Sequence, residues 1–140
     1  MTYLDANVFI FAACDQSPLG EAARQIIRQV QSGRCRASTS VLSYDEVVWG
    51  TRKKLNKEAG FLAGEFLLSL PHLAMKDVKR ETITEAHHLI KHFNVKPRDA
   101  IHAATMRLEN EQVLVSEDPD FDIISGIKRL SLLEFARQGR

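Results

Sequence analysis

A chain of 140 residues can bury one substantial core, and a single domain spanning residues 1–140 is expected. Its 44% apolar and 26% charged residues fit a globular protein in water. A formal net charge of +1 excludes a uniformly basic coat for nucleic acid, although local basic clusters remain available. Cys14 and Cys35 are too few for a disulfide framework and lack metal-ligand spacing, so they are expected as small buried thiols in a reducing, cytoplasmic setting. The apolar run 8–13 is too short to cross a membrane and has no basic flank of a signal peptide, so no membrane partner is expected.

Tyr3 and Leu4 read as a short buried strand, ended at once by Asp5, and Asn7–Ala13 as a short helix. Pro18 suits a first helical position. From there Ala22, Ala23, Ile26, Ile27 and Val30 recur at helical spacing until Gly33. Cys35–Ser38 reads as a second strand. Thr39 or Ser40 would cap the next helix, which carries Val47, Val48 and Trp49 and ends in Arg52, Lys53 and Lys54. Lys57–Leu70 is helical up to Pro71, and Leu73–Met75 is a weak strand. Lys79–Phe93 is a helix with Ile83, Ala86, Leu89 and Ile90 inward. Pro97 opens a further helix. Gln112–Ser116 is a strand whose apolar run fits burial on both faces of a parallel sheet. Ile127–Ser131 is a last strand and Leu132–Arg137 a last helix. Strands alternating with helices imply an α/β fold with a parallel sheet.

Four acids stand where strands give way to helices or near helix starts: Asp5, Glu46, Asp99 and Asp118. Ligands of open α/β sheets bind at the carboxyl ends of strands. Each acid also has a purely structural explanation. Asp5 could cap a helix, and Glu46 could close a capping box with Ser43. Asp99 could complement a helix dipole, and Asp118 before Pro119 could close an Asx-turn. That all four stand in the same relation to the sheet favours a shared site. Carboxylates gathered in one cleft repel, a bound cation relieves the repulsion, and all-oxygen ligation favours Mg²⁺ or Mn²⁺. The implied chemistry is phosphodiester hydrolysis by an activated water.

The segments Leu4-Asp5-Ala6-Asn7-Val8, Glu46, Arg98–Ala104 and Val115–Phe121 resemble, in order and spacing, the motifs of the PIN-domain family, and the chain's length resembles its free-standing VapC-type toxins. The resemblance implies a three-layer α/β/α sandwich with a mainly parallel central sheet. It also implies a metal-dependent endoribonuclease, the toxin of a toxin–antitoxin pair, inhibited by a small antitoxin. By the same resemblance Asp5, Glu46, Asp99 and Asp118 hold Mg²⁺ or Mn²⁺, Asn7 supports the first acid and Ser116 the fourth. Thr39 or Ser40 could add a hydroxyl, and Asp122 is taken as a solvated turn residue. Such proteins pair, and Phe61, Leu62, Phe66, Leu67 and Leu68, with Trp49 nearby, are the expected homodimer surface. The alternatives are a phosphoacceptor domain of the response-regulator type and a PIN-like scaffold without catalysis. Against the first, no Lys follows a late apolar strand; against the second, the acid set is intact.

Other residues carry less. His88 and His92 lack the Glu of a zinc-binding HExxH and read as solvated helix surface. His102, one turn after Asp99, reads as a hydrogen-bonded, partly buried histidine. Arg98 beside Asp99, and Arg52, Lys53, Lys54 and Lys57 beyond Glu46, are the candidate contacts to RNA phosphates.

Overall fold

The structure, a computed structural model, describes residues 1–139. Its elements run β1 (Thr2–Leu4), α1 (Ala6–Cys14), α2 (Pro18–Gln31), β2 (Ala37–Ser40), α3 (Leu42–Lys54), α4 (Lys57–Ser69), β3 (Leu73–Lys76), α5 (Arg80–Phe93), α6 (Pro97–Leu108), β4 (Val113–Val115), β5 (Lys128–Leu130) and α7 (Leu132–Gln138). A 3₁₀ turn, Pro119–Ile123, lies between β4 and β5. The five strands form one sheet in the order β3-β2-β1-β4-β5, with every pairing parallel.

Strand alternation explains the three layers. Side chains of successive strand residues point to opposite faces. Leu4 and Val115 enter a core with Val8, Phe9, Ile26, Val47, Leu67 and Leu132, beneath α1 to α4 and α7. Their neighbours Tyr3 and Leu114 enter a second core with Ala86, Leu89, Ala100, Ala103 and Phe121, beneath α5 and α6. The fold is therefore a three-layer α/β/α sandwich. Its strand order reverses between β1 and β4, so a crevice opens at their carboxyl ends.

Several local details differ from the sequence expectations. β2 begins and ends two residues later than Cys35–Ser38. Gly33 ends α2 at φ 82°, and Cys35 N–H donates to the Gln29 carbonyl, so residues 33–36 belong to the turn. Cys14 and Cys35 are half-buried rather than buried; Cys14 is the last residue of α1 and Cys35 lies in the turn before β2. Ile83 is 46% exposed, and Thr82 is buried in its place, its hydroxyl accepting from Lys79 N–H at the start of α5. Neither Thr39 nor Ser40 is the cap of α3, which is Val41, though Ser40 Oγ accepts from Leu42 N–H. On α4, Leu67 is buried against the sheet while Phe61, Leu62, Phe66 and Leu68 are exposed, so Leu67 leaves the expected homodimer surface. Gly64 lets α4 approach α3, since a Cβ there would meet Val48 Cγ2 at 2.7 Å. No helix among the described residues is long and apolar enough to cross a membrane.

Candidate functional site

Asp5 leaves β1 in extended backbone at the N-cap position of α1, yet its side chain accepts no capping hydrogen bond. Its Oδ2 instead accepts from Ser116 Oγ at 2.6 Å. The same hydroxyl accepts from Asn7 Nδ2 at 3.3 Å and from Asp118 N–H at 3.0 Å. One buried hydroxyl at the end of β4 thus joins the end of β1, the start of α1 and the loop carrying Asp118. Beneath it, Thr39 Oγ1 donates to the Leu4 carbonyl at 2.7 Å and pairs with Ser43 Oγ at 2.6 Å. Thr39 therefore ties β2 and α3 to β1.

Glu46 forms no capping box, because Ser43 lies inside α3 and bonds Thr39. Its Oε1 lies 2.5 Å from His102 Nε2, whose other nitrogen is 2.6 Å from the Tyr3 hydroxyl. His102 is 1% exposed. It is hydrogen-bonded, as the sequence reading expected, but fully rather than partly buried, and one of its partners is an acid. The signal for this was its place one turn after Asp99, on the same face of α6. Asp5, Glu46 and His102 each offer a ligand atom within 4.8 Å of the others.

Asp99 sits in the first turn of α6, and Asp118 caps the 3₁₀ turn, its Oδ1 accepting from Asp120 N–H at 2.9 Å. Asp118 therefore does close an Asx-turn, and its other oxygen remains available. Asp99, Asp118 and Asp120 form a second trio within 4.8 Å. Asp120 was not anticipated; its spacing of two from Asp118 is the only signal in the chain. Asp122 is not simply solvated: Arg129 grips it through Nε and Nη2 at 2.8 and 2.9 Å, and Arg129 Nη1 donates to the Ser116 carbonyl at 3.0 Å.

The trios share a field. Burial, then the charges of Asp118 and Asp5, push the Asp99 carboxyl up to about 6. Burial raises Asp5 as well, against the opposing charge of His102 and the Ser116 hydrogen bond. For His102, burial disfavours the imidazolium, but the hydrogen bond and charge of Glu46, with Asp5 and Asp99, outweigh it and raise the value. Two buried oxygens at this site have no partner, Asn7 Oδ1 and Asp99 Oδ2. Orphaned acceptors amid repelling carboxylates are what a hard cation would satisfy, and an oxygen-rich donor set suits Mg²⁺ or Mn²⁺.

The candidate cationic residues divide. Arg98 pairs with Asp45 at 3.6 Å across the starts of α3 and α6, and Lys96 lies 3.6 Å from Asp120. Arg52 and Lys53 approach the Trp49 ring, at 5.9 and 5.8 Å from its centroid. Arg52, Lys53 and Lys54 all lie exposed in the last turn of α3. His88 and His92 are exposed on α5, as expected.

Among solved structures, the fold matches DNA-bound VapBC from Salmonella typhimurium at 21% identity and a TM-score of 0.72, covering 94% of this chain and 99% of that one. It also matches VapBC2 from Rickettsia felis, bound to a promoter DNA fragment, at 18% identity and TM-score 0.72, covering 94% and 98%. A third likeness is to Mycobacterium tuberculosis VapC20, a toxin that cleaves the sarcin–ricin loop, at 17% identity and TM-score 0.71, covering 87% and 93%. At these identities the likeness is one of fold. Comparison with curated proteins gives no match. The PIN-domain model matches residues 2–127, and with it the segments that carry Asp5, Glu46, Asp99 and Asp118; the chain belongs to the PIN-domain family, a family of nucleases.

Proposed function

We propose that this protein is a metal-dependent endoribonuclease and the toxin of a toxin–antitoxin pair. The observation that carries the reading is the pair of trios at the β1/β4 crevice, two carboxylates with His102 and three carboxylates, coupled through Asp5 and Asp99, with Asp99 Oδ2 buried and unpartnered. Asp5, Glu46, Asp99 and Asp118 would hold Mg²⁺ or Mn²⁺. When bound, such a cation neutralises the acids and supplies the Lewis acidity for water to attack an RNA phosphodiester. The chain's own residues set the geometry. Ser116 fixes Asp5 against the Asp118 loop, His102 holds the Glu46 carboxylate, and Asn7 donates to Ser116 while its own oxygen is left buried without a partner. Arg98, Arg52, Lys53 and Lys54 supply cationic contacts to the RNA backbone, with Lys57 just beyond them.

The neighbours named as toxin–antitoxin complexes support a small protein partner. A groove of about 280 Å³ between α1, α2, α3 and α4, lined by Phe9, Ala12, Ile27, Val47 and Phe66, offers that partner apolar contacts. We assign the exposed residues Phe61, Leu62, Phe66 and Leu68 of α4 to a homodimer contact, which light scattering at high micromolar concentration would refute by giving the monomer mass. The principal test is cleavage of RNA by the purified protein in Mg²⁺ or Mn²⁺. The expected result is cleavage that a chelator stops and that Asp5→Asn abolishes. Cleavage indifferent to both would overturn the reading, and labelling by acetyl phosphate at an aspartate would put a phosphoacceptor in its place.

A further inference from the structure

Trp49 is the chain's one tryptophan, and it lies 51% exposed on α3. Glu46, Trp49 and Lys53 stand at positions i, i+3 and i+7, so they follow one stripe of the helix. The stripe starts at the acid cluster and runs away from it. Arg52 and Lys53 lie over the indole, 5.9 and 5.8 Å from its centroid, where an incoming base would displace them toward its phosphates, and neither is in an ion pair among the described residues. A half-exposed aromatic ring one helical turn from Glu46, with two cations lacking carboxylate partners a further turn along, matches the composition of surfaces that hold single-stranded nucleic acid. There, cations track phosphates while a flat ring receives a base.

We propose that Trp49 is a stacking platform for an unpaired base of the RNA substrate, with Arg52 and Lys53 bonding the flanking phosphates. The proposal rests on the ribonuclease reading and adds a binding subsite to it. Stacking needs no sequence-specific hydrogen bonds, because every base has a π-face. The platform would hold the strand in an unpaired form beside the scissile bond, which predicts a preference for loops over duplex. A subunit contact is the competing use of an exposed tryptophan. It is disfavoured here because closing an interface over this ring would bury Arg52 and Lys53 without partners.

The single tryptophan makes the test direct. In an Asp5→Asn background, which keeps RNA intact, indole emission is followed while a single-stranded oligoribonucleotide is added. An abasic ribose-phosphate chain of equal length serves as control. RNA is expected to quench the emission and the abasic chain to leave it unchanged. Trp49→Ala should weaken binding by about 5- to 100-fold with little change in salt slope, and Trp49→Phe should recover much of the loss. If wild type cleaves RNA but emission stays constant and Trp49→Ala binds normally, the platform is refuted and the nuclease reading stands. If RNA quenches the emission but wild type cleaves nothing, the nuclease reading falls and the platform stands. If emission follows protein concentration rather than RNA, and Trp49→Ala turns a dimer into a monomer, Trp49 is a subunit contact and the proposal is overturned.

Discussion

The two trios, Asp5 and Glu46 with His102 and Asp99 with Asp118 and Asp120, differ in how far their charge is already answered. In the buried trio every member has a partner: Ser116 donates to Asp5, and His102 bridges Glu46 and Tyr3. In the rim trio the bonds are mostly to backbone or to solvent-exposed cations, through the Asx-turn of Asp118 and the Lys96–Asp120 pair, and Asp99 Oδ2 has no partner. The first trio holds its shape without a cation. The second keeps its repulsion, which shows in the raised Asp99 carboxyl. Shape and unsatisfied charge thus come from different halves of one crevice, and a cation joining them would meet ligands set on one side and relieve repulsion on the other.

That contrast breaks most sharply at Asp5. An amide in Asp5→Asn can still accept from Ser116 Oγ, so the geometry survives while the charge is lost. Charge stabilisation of several kcal/mol by a metal corresponds to a fall in RNA cleavage on the order of a thousandfold, with the circular dichroism spectrum unchanged. Wild-type cleavage rates in this variant, once contaminating nuclease is excluded, would remove the buried trio from the site. A smaller effect is expected at His102, which orients an acid without contributing its charge. His102→Gln should reduce Mn²⁺ affinity by about 10- to 100-fold in a calorimetric titration, the usual cost of losing a partner of a metal-binding side chain. Tyr3→Phe should cost less, because the hydroxyl acts on Glu46 only through the imidazole. Unaltered affinity in His102→Gln would mean that the ring merely fills the core.

The rim trio makes a prediction about pH. Asp99 titrates near 3.8 when unfolded and at about 6 in the metal-free fold. Between those values the folded state binds more protons than the unfolded state, so stability falls as pH rises from about 4 to 6 and stays reduced above. Asp99 is only half-buried, so solvent limits the effect to a few degrees in melting temperature. Asp99→Asn removes the penalty. The metal-free variant should melt above wild type at pH 7 and equal it near pH 3.5. Parallel melting profiles across that range would show that Asp99 is not under the repulsion assigned to it.

How much of this was readable beforehand follows from how each feature is encoded. The alternation of strands and helices was readable because the stripe Ala22–Val30 has a clear helical period and Val113–Val115 is a short unbroken apolar run. β2 was misplaced because Ala-Ser-Thr-Ser has no large apolar residue, so only its pairing with β1 and β3 marks its ends. The acids stood out through their places at strand ends. Their grouping into two trios did not, because it joins residues from β1, α3, α6 and the turn after β4 that are far apart in sequence. His102 shows the same limit. One turn after Asp99 is visible in sequence, but a bond to Glu46, 56 positions away, is set by tertiary packing.

The smallest effect is expected where the trios are bridged from outside. Arg98 adjoins Asp99 in sequence, but its guanidinium pairs with Asp45, the neighbour of Glu46, and both ends are more than half exposed. An exposed pair of this kind contributes at most about 1 kcal/mol. A phosphate gains Arg98 only by displacing Asp45, so Arg98 should contribute less to RNA binding than the unpaired cations of α3. With Ca²⁺ as the metal and a salt series as the variable, Arg98→Ala should weaken RNA binding by less than about fivefold, with almost no change in slope. The combined Arg52/Lys53/Lys54→Ala variant should flatten the slope by roughly 0.7 for each phosphate that is no longer neutralised. Removing Asp45 together with Arg98 should restore wild-type affinity, since a nearly neutral pair is then deleted whole. A slope change worth one whole phosphate in Arg98→Ala, not repaired by the double substitution, would show that Arg98 leaves Asp45 for the RNA backbone and that the crevice mouth, rather than the far end of α3, receives the strand.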